Sequence, residues 1–198
     1  MELLETFKIE NGQIAYLDFH QQRVNRSLAD LYQINEGFSL KNFFENQNLP
    51  QKGIFRGRLI YEEQITSFEI IPYQEQVIRS FKLVNSLDFD YSYKWADRQF
   101  FAGQKNLQTT VDEIIFYSNN KIQDCTIANL AFLKNNIWYT PKSPLLKGTT
   151  RERLLRTKQI QEHDIFVQDI DQFERLCLIN VFRELHIKNS LSLPACIL

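Results

Sequence analysis

Hydrophobic and polar positions along the first part of the chain predict a hairpin, a helix and then more strands. The opening ETFKIENGQIAYL sets Asn11-Gly12 between two apolar-rich runs. That dipeptide is the strongest short-range hairpin signal, because both positions of a tight turn need a positive φ. Leu17, His20, Val24, Leu28 and Leu31 then recur at helical spacing, while Gln22, Asn25 and Asp30 fall elsewhere on the wheel. This predicts an amphipathic helix with His20 on its buried stripe. A loop rich in Asn, Gln and Gly leads into GIFRGRLIYEEQITSFEIIPY, where two runs of strand formers flank Glu62-Glu63-Gln64 and predict two antiparallel strands. A further apolar run, VIRSFKLVN, ends near Asn85. The boundary of a small α+β domain, residues 1–85, is placed there.

The second part, residues 86–198, opens with YSYKWADR, read as a strand end running into a helix. EIIFY, KIQDCTIANLAFLK and IWYTP follow, separated by Asn119-Asn120 and Asn135-Asn136. Asparagine pairs tolerate the left-handed backbone of tight turns, so a three-stranded meander is expected. Two helices are expected after it, over residues 151–157 and 171–185.

Composition narrows the class. With 198 residues, 43% hydrophobic and 24% charged, the chain is long enough for one large or two small domains with a proper core. Lysine and arginine number 23 against 24 acidic residues, so no global field would hold the protein to nucleic acid or an anionic membrane. An anionic ligand would need a local site. No apolar run reaches the ~18 residues of a spanning helix, and MELLETFKIE lacks the basic-then-apolar order of a signal peptide. A cytoplasmic protein is expected. Cys125, Cys177 and Cys196 lack metal-ligand spacing, and their odd number suits a reducing compartment, so no metal site is expected.

Five stretches carry candidate chemistry. Lys94 stands between Tyr93 and Trp95, with Phe100 and Phe101 close behind. Apolar walls lower a lysine's pKa and make a reactive amine, whereas an aromatic face with water beyond it makes a cation–π partner. In LLKGTTRERLL, Gly148 frees the backbone, and Thr149 with Glu152 matches a capping box. The same glycine turn, hydroxyls and free N–H groups would also cradle a phosphate. His20 and Arg23, three apart in FHQQRVNRS, point in similar directions, toward either the core or a bound phosphate. Asp124, inside the strand-like run IQDCTIANLAF with Thr126 and Asn129, needs a partner, which a protein donor or a protonated ring nitrogen would supply. Arg56 and Arg58 in FRGRLIY share one strand face and would hold a substrate carboxylate, or lie exposed on the sheet.

Four segments in order, LLETFKIENGQIAYLDFHQQR, YSYKWADR, DEIIFYSNNKIQDCTIANLAF and YTPKSPLLKGTTRERLL, together resemble the class IV aminotransferases, the fold-type IV pyridoxal phosphate enzymes. That family includes branched-chain and D-amino-acid aminotransferases and 4-amino-4-deoxychorismate lyase. The resemblance implies a two-domain α+β fold like that of D-amino-acid aminotransferase: a small α+β domain, a larger domain with a β-barrel-like sheet, and pyridoxal 5'-phosphate in the cleft between them. It further implies a homodimer acting on a small-molecule amine.

By position in those motifs, Lys94 would be the Schiff-base lysine and Arg23 a phosphate ligand. Leu146 would pack on the cofactor ring, and Gly148, Thr149 and Thr150 would complete the phosphate cup. Asp124 stands where the family usually has a glutamate facing the pyridine nitrogen, and Thr126 and Asn129 accompany it at the cofactor. The chain is short for the family, with the shortage mainly in the first domain. The match of YSYKWADR and LLKGTTR to the small members implies a 4-amino-4-deoxychorismate lyase of folate biosynthesis. A class IV aminotransferase is the alternative, and a non-catalytic protein of the same fold is a third.

Overall fold

The structure, a computed structural model, describes residues 1–198 apart from Asp88 and Pro194. The chain forms two compact units, Met1–Glu75 with Tyr93–Asp97, and Gln76–Ser92 with Arg98–Leu198. This differs from the expected cut at residue 85. Strand β5 (Phe81–Asn85, in the numbering below) pairs in parallel with a strand of the second unit, from Phe81↔Glu113 to Asn85↔Tyr117. Conversely, Tyr93–Asp97 returns to the first unit, where Leu4 N–H donates to the Lys94 carbonyl at 2.8 Å and Ala96 N–H to the Glu2 carbonyl at 2.9 Å. Neither pairing leaves a compositional mark on the sequence.

The first unit holds β1 (Leu3–Glu10), β2 (Gln13–Ile14), α1 (Leu17–Tyr32), α2 (Leu40–Glu45), β3 (Ile54–Tyr61) and β4 (Ile65–Pro72). Its antiparallel sheet runs β2-β1-β3-β4. Asn11 and Gly12 both take positive φ, 50° and 77°, as the hairpin requires. Register pairs Leu3 with Tyr61, Glu5 with Leu59 and Phe7 with Gly57. The odd positions of both strands therefore share one face, on which Leu3, Phe7, Leu59 and Tyr61 pack against Val24 and Leu28 of α1 and Leu40 and Phe44 of α2. α1 keeps the predicted stripe, burying His20, Val24, Ser27 and Leu28. Gln33 ends it in the left-handed region, with its N–H on the Ala29 carbonyl.

The second unit holds β5, α3 (Gln99–Asn106), β6 (Glu113–Ser118), β7 (Lys121–Cys125), β8 (Asn129–Lys134), β9 (Ile137–Pro141), α4 (Thr149–Arg156), β10 (Gln161–His163), β11 (Arg175–Ile179) and β12 (Leu191–Ser192). The asparagine pairs turn as expected, with φ of 47° and 63° at Asn119-Asn120 and 52° and 62° at Asn135-Asn136. The meander, however, is not continuous. KIQDCTIANLAFLK breaks where Cys125 N–H donates to the Ala128 carbonyl, so that β7 stays with β6 while β8 joins another sheet. Among the described residues, hydrogen bonding distributes the strands over two sheets, β5-β6-β7 and β10-β9-β8-β11-β12. The α+β class holds.

The helix expected over residues 171–185 is absent. Arg175–Ile179 is a strand, antiparallel to β8 from Arg175↔Leu133 to Ile179↔Asn129. Leu176 and Leu178 enter one core with Leu130 and Phe132, while Cys177 and Ile179 enter another with Ala131, Leu154 and Ile160. A strand buried on both faces shows no period of two, and its short apolar run cannot be told from a helical one by periodicity. Leu154 belongs to α4, so this second core is what seats that helix. Ile179 is fully buried, and Ile179→Ala is expected to lower the unfolding free energy by about 2–5 kcal/mol, read from urea denaturation.

Candidate functional site

In the first unit the alternation of β1 sends a carboxylate into the core. Glu5 shares the inward face with Leu3 and Phe7 and is 0% exposed. α1 brings His20 and Arg23 over it, nearly one turn apart. Arg23 donates from Nε to Glu5 Oε1 at 2.6 Å and from its terminal nitrogen to Oε2 at 2.6 Å, and His20 Nδ1 meets Oε2 at 2.7 Å. Burial alone would raise the Glu5 pKa. The Arg23 charge and the bonds from His20 and Arg23 outweigh burial and hold it at about 2. Burial pulls the pKa of His20 down against its bond to Glu5, and the charges of Arg23 and Lys94 pull the same way as burial. A neutral His20 that donates from Nδ1 keeps Nε2 as its acceptor.

Sequence reasoning paired His20 with Arg23 and missed Glu5. The signal was present: a glutamate in phase with Leu3, Phe7 and Ile9 on an inward strand face, ahead of a helix carrying two donors at spacing three. Lys94 is half-buried and anchored to β1 through its carbonyl. The aromatics around it in sequence separate in space. Tyr93 and Trp95 pack on the core of the first unit, whereas in the second Phe100 stacks on Phe89 and lies tilted to Phe116, and Phe101 meets Tyr91 edge to face. The cation over Phe101 is Arg98, at 4.6 Å. Arg56 and Arg58 do share a strand face, opposite to Gly57 and Leu59. Arg56 is exposed, and Arg58 is paired with Glu69 at 3.2 Å.

In the second unit Asp124, Asn129, Leu146 and Gly148 come together. Asp124 Oδ2 accepts the Leu146 N–H at 2.9 Å, and Oδ1 accepts from Asn129 Nδ2 at 2.8 Å. The same Nδ2 donates to the Leu146 carbonyl at 2.7 Å. Burial pushes the Asp124 carboxyl up to about 7, against the Leu146 and Asn129 donors and the Arg151 charge. Thr126 turns elsewhere: its hydroxyl donates to Glu113 Oε2 at 2.8 Å, and its carbonyl accepts from Arg98.

The capping box does not form. Gly148 is itself the N-cap of α4, with ordinary angles of φ −70° and ψ 151°, and Glu152 pairs with Arg156 at 2.9 Å. Glycine is needed at this position for space, since a Cβ would lie 2.1 Å from Asn129 Oδ1. Thr149 and Thr150 are therefore the first helical residues, 7% and 6% exposed. Among the described residues neither hydroxyl takes part in a hydrogen bond, and the first backbone bond of α4 is from Glu152 N–H to the Gly148 carbonyl. The N–H groups of Thr149, Thr150 and Arg151 and two hydroxyls are left as donors at the positive end of a helix dipole. Buried Arg151 ties this turn to the Pro141 carbonyl at 3.0 Å and to Glu162 at 2.6 Å.

Removing Glu5 leaves Arg23 and His20 without their acceptor, so Glu5→Ala is expected to lower the unfolding free energy by about 3–5 kcal/mol in urea titrations at pH 7. The folded pKa of Glu5, about 2, lies below its ordinary 4.5. Its contribution is therefore complete above pH 4.5 and is lost as pH falls toward 2. Asp124 runs the other way: raised from 3.8 to about 7, it weakens the fold as pH rises across that window. Asp124→Asn sets an amide donor against either Leu146 N–H or Asn129 Nδ2. It is expected to cost about 1–3 kcal/mol in the same assay and to remove that pH dependence.

A family model described as amino-transferase class IV matches residues 61–187, more than half of the chain. An uncharacterized protein of Haemophilus influenzae is 38% identical over 186 residues, covering 92% of this chain and 98% of its own. A crystal structure from Haemophilus somnus, of a protein provisionally assigned as a 4-amino-4-deoxychorismate lyase, matches with a TM-score of 0.82 at 34% identity, over 93% of this chain and 97% of that one. The PLP-bound form of a hypothetical aminotransferase from Mycobacterium tuberculosis shares the fold, with a TM-score of 0.68 at 14% identity over 91% of this chain and 77% of that one. Among the described residues no helix is long and apolar enough to cross a membrane. With a family model over more than half of its length and a relative matched almost end to end, the chain belongs to the class IV aminotransferase family.

Proposed function

We propose that the chain is a cytoplasmic, homodimeric, pyridoxal 5'-phosphate-dependent lyase that converts 4-amino-4-deoxychorismate to 4-aminobenzoate and pyruvate, a step of folate biosynthesis. The observation that carries the cofactor assignment is the start of α4, where two threonine hydroxyls and three backbone N–H groups face no acceptor among the described residues. A phosphate group supplies the acceptor such a donor set fits. The choice of lyase rests on the near full-length likeness to the Haemophilus somnus protein. An aminotransferase is the second reading, favoured by the fold shared with the Mycobacterium tuberculosis protein.

When bound, pyridoxal phosphate supplies the electron sink that makes the bonds beside a substrate amine labile. The chain's own residues divide the remaining work. Lys94 Nζ would hold the cofactor, and its amine would serve as the base for the proton on the carbon beside the substrate amine. Thr149, Thr150 and the first amides of α4 would hold the phosphate, and Arg23, oriented by Glu5, is assigned the same ligand by its place in the HQQR motif. Asp124, partnered though it is, retains acceptor capacity, because a carboxylate offers about four lone-pair sites and its donors are the Asn129 amide and the Leu146 and Leu145 N–H groups. In its ionised form it favours a protonated ring nitrogen. Of the two arginines assigned to a substrate carboxylate, Arg56 is the better suited, since Glu69 already engages Arg58. Loss of the C4 proton and of the enolpyruvyl ether together leaves an aromatic ring, which drives the lyase direction.

Borohydride reduction of the loaded protein followed by peptide mapping is expected to place the pyridoxyl group on Lys94, and Lys94→Ala to abolish both labelling and turnover. A label on Lys105, Lys121 or Lys147 would overturn the assignment. Incubation with 4-amino-4-deoxychorismate, beside a panel of L- and D-amino acids with 2-oxoglutarate, separates the two readings. Pyruvate and 4-aminobenzoate are expected, whereas formation of 2-oxo acids from the amino-acid panel alone would establish the aminotransferase.

A further inference from the structure

Asp124 and Asn129 bracket the break between β7 and β8, and both side chains reach the segment just before α4. Between them they hold both polar groups of one peptide residue. Leu146 gives its N–H to Asp124 at 2.9 Å and receives Asn129 Nδ2 on its carbonyl at 2.7 Å. Asn129 and Asp124 are bonded to each other at 2.8 Å, so the three groups form one closed set. The other end of the Asn129 carboxamide lies against Gly148, where a Cβ would come within 2.1 Å of Oδ1. Gly148 is the N-cap, and Thr149 and Thr150 follow it directly. A carboxamide at 6% exposure that holds the Leu146 carbonyl and lies against Gly148 stands directly ahead of that helix. The sequence placed Asn129 among groups touching a ligand, but its donor and acceptor ends are both turned to the chain itself.

We infer that Asn129, braced by Asp124, is a positioning residue for phosphate recognition, acting through the Leu146 backbone and Gly148 to hold the first turn of α4 in place. The inference rests on the reading of that turn as the phosphate seat. It has a particular signature, because Gly148 and Asn129 occupy the same space. Gly148→Ala drives a methyl group into an amide that its two bonds keep from yielding, so the start of α4 moves. With Asn129→Ala the methyl has room, and the second substitution changes little more.

The test uses the full-length protein and two probes, pyridoxal phosphate and pyridoxal, titrated by absorbance. Gly148→Ala and Asn129→Ala are each expected to weaken pyridoxal phosphate binding roughly 10–100-fold, the scale of one or two lost charge-assisted hydrogen bonds. Pyridoxal, which shares the ring but lacks the phosphate, is expected to lose severalfold less affinity than pyridoxal phosphate in each variant, and the double variant to match Asn129→Ala within about threefold for pyridoxal phosphate. Equal weakening of both probes, or two single effects that simply multiply in the double variant, would overturn the inference. Amide hydrogen exchange on the cofactor-free protein tests it separately. Asn129→Ala is expected to speed exchange at Leu146, whose N–H Asp124 holds, and at Glu152, whose N–H closes the first turn of α4 on the Gly148 carbonyl, and unchanged rates at both would overturn the inference whatever binds. A native protein that fails to prefer pyridoxal phosphate over pyridoxal, while the exchange rates still respond, would instead overturn the reading of α4 as the phosphate seat and with it the role in recognition.

Discussion

A carboxylate withdrawn from water must be met by donors, and the chemistry of this chain is organised around two that are. Glu5 and Asp124 are both almost wholly buried, yet they come to rest at opposite ends of the titration scale, near 2 and near 7. The difference lies in who meets them. Glu5 faces a guanidinium in bidentate geometry, so the ionised form wins over desolvation. Asp124 faces a neutral amide and a backbone N–H, with the Arg151 charge acting only at a distance, so desolvation wins. One unit therefore carries a locked anion and the other a carboxyl close to its balance point at neutral pH.

Each of these anions organises a backbone as well as a charge. Glu5 joins the first strand to the first helix across the core, which fixes the direction in which Arg23 leaves α1. Asp124 joins the end of β7 to the approach of α4. In both cases a polar group in an apolar setting specifies a single arrangement, because any shift would strand a donor or an acceptor away from water. This is a reason for polar residues to occupy positions that aliphatic side chains would otherwise fill.

Much of this was legible in the sequence, for reasons that differ residue by residue. Asn11-Gly12 and the two asparagine pairs announced their turns because positive φ restricts which residues can serve. The α1 stripe was visible because one face is buried and the other wet. Lys94 and Thr149-Thr150 became candidates only together, through the order of motifs along the chain. What escaped was set by partners far away in sequence. β11 is buried on both faces and so lost its alternation, and the parallel pairing of β5 with β6 carries no local signal. The capping box at Thr149 failed by one position, because the space beside Asn129 made Gly148 the cap. Glu5 escaped because its worth depends on α1 docking above it.

The two-sided burial of β11 also bears on how the second unit is assembled during synthesis. Arg175–Ile179 pairs with Asn129–Leu133, made much earlier, and it forms the wall between the two cores. Until it leaves the ribosome, β8 has an open edge, and Ala131, Leu154 and Ile160 lack Cys177 and Ile179 as neighbours. α4 is translated before that wall exists, and as a helix of eight residues it is too short to persist alone. The nascent chain therefore carries an unpaired strand edge and an uncovered apolar face until β11 emerges, the condition in which chains of high contact order are captured by chaperones or by one another.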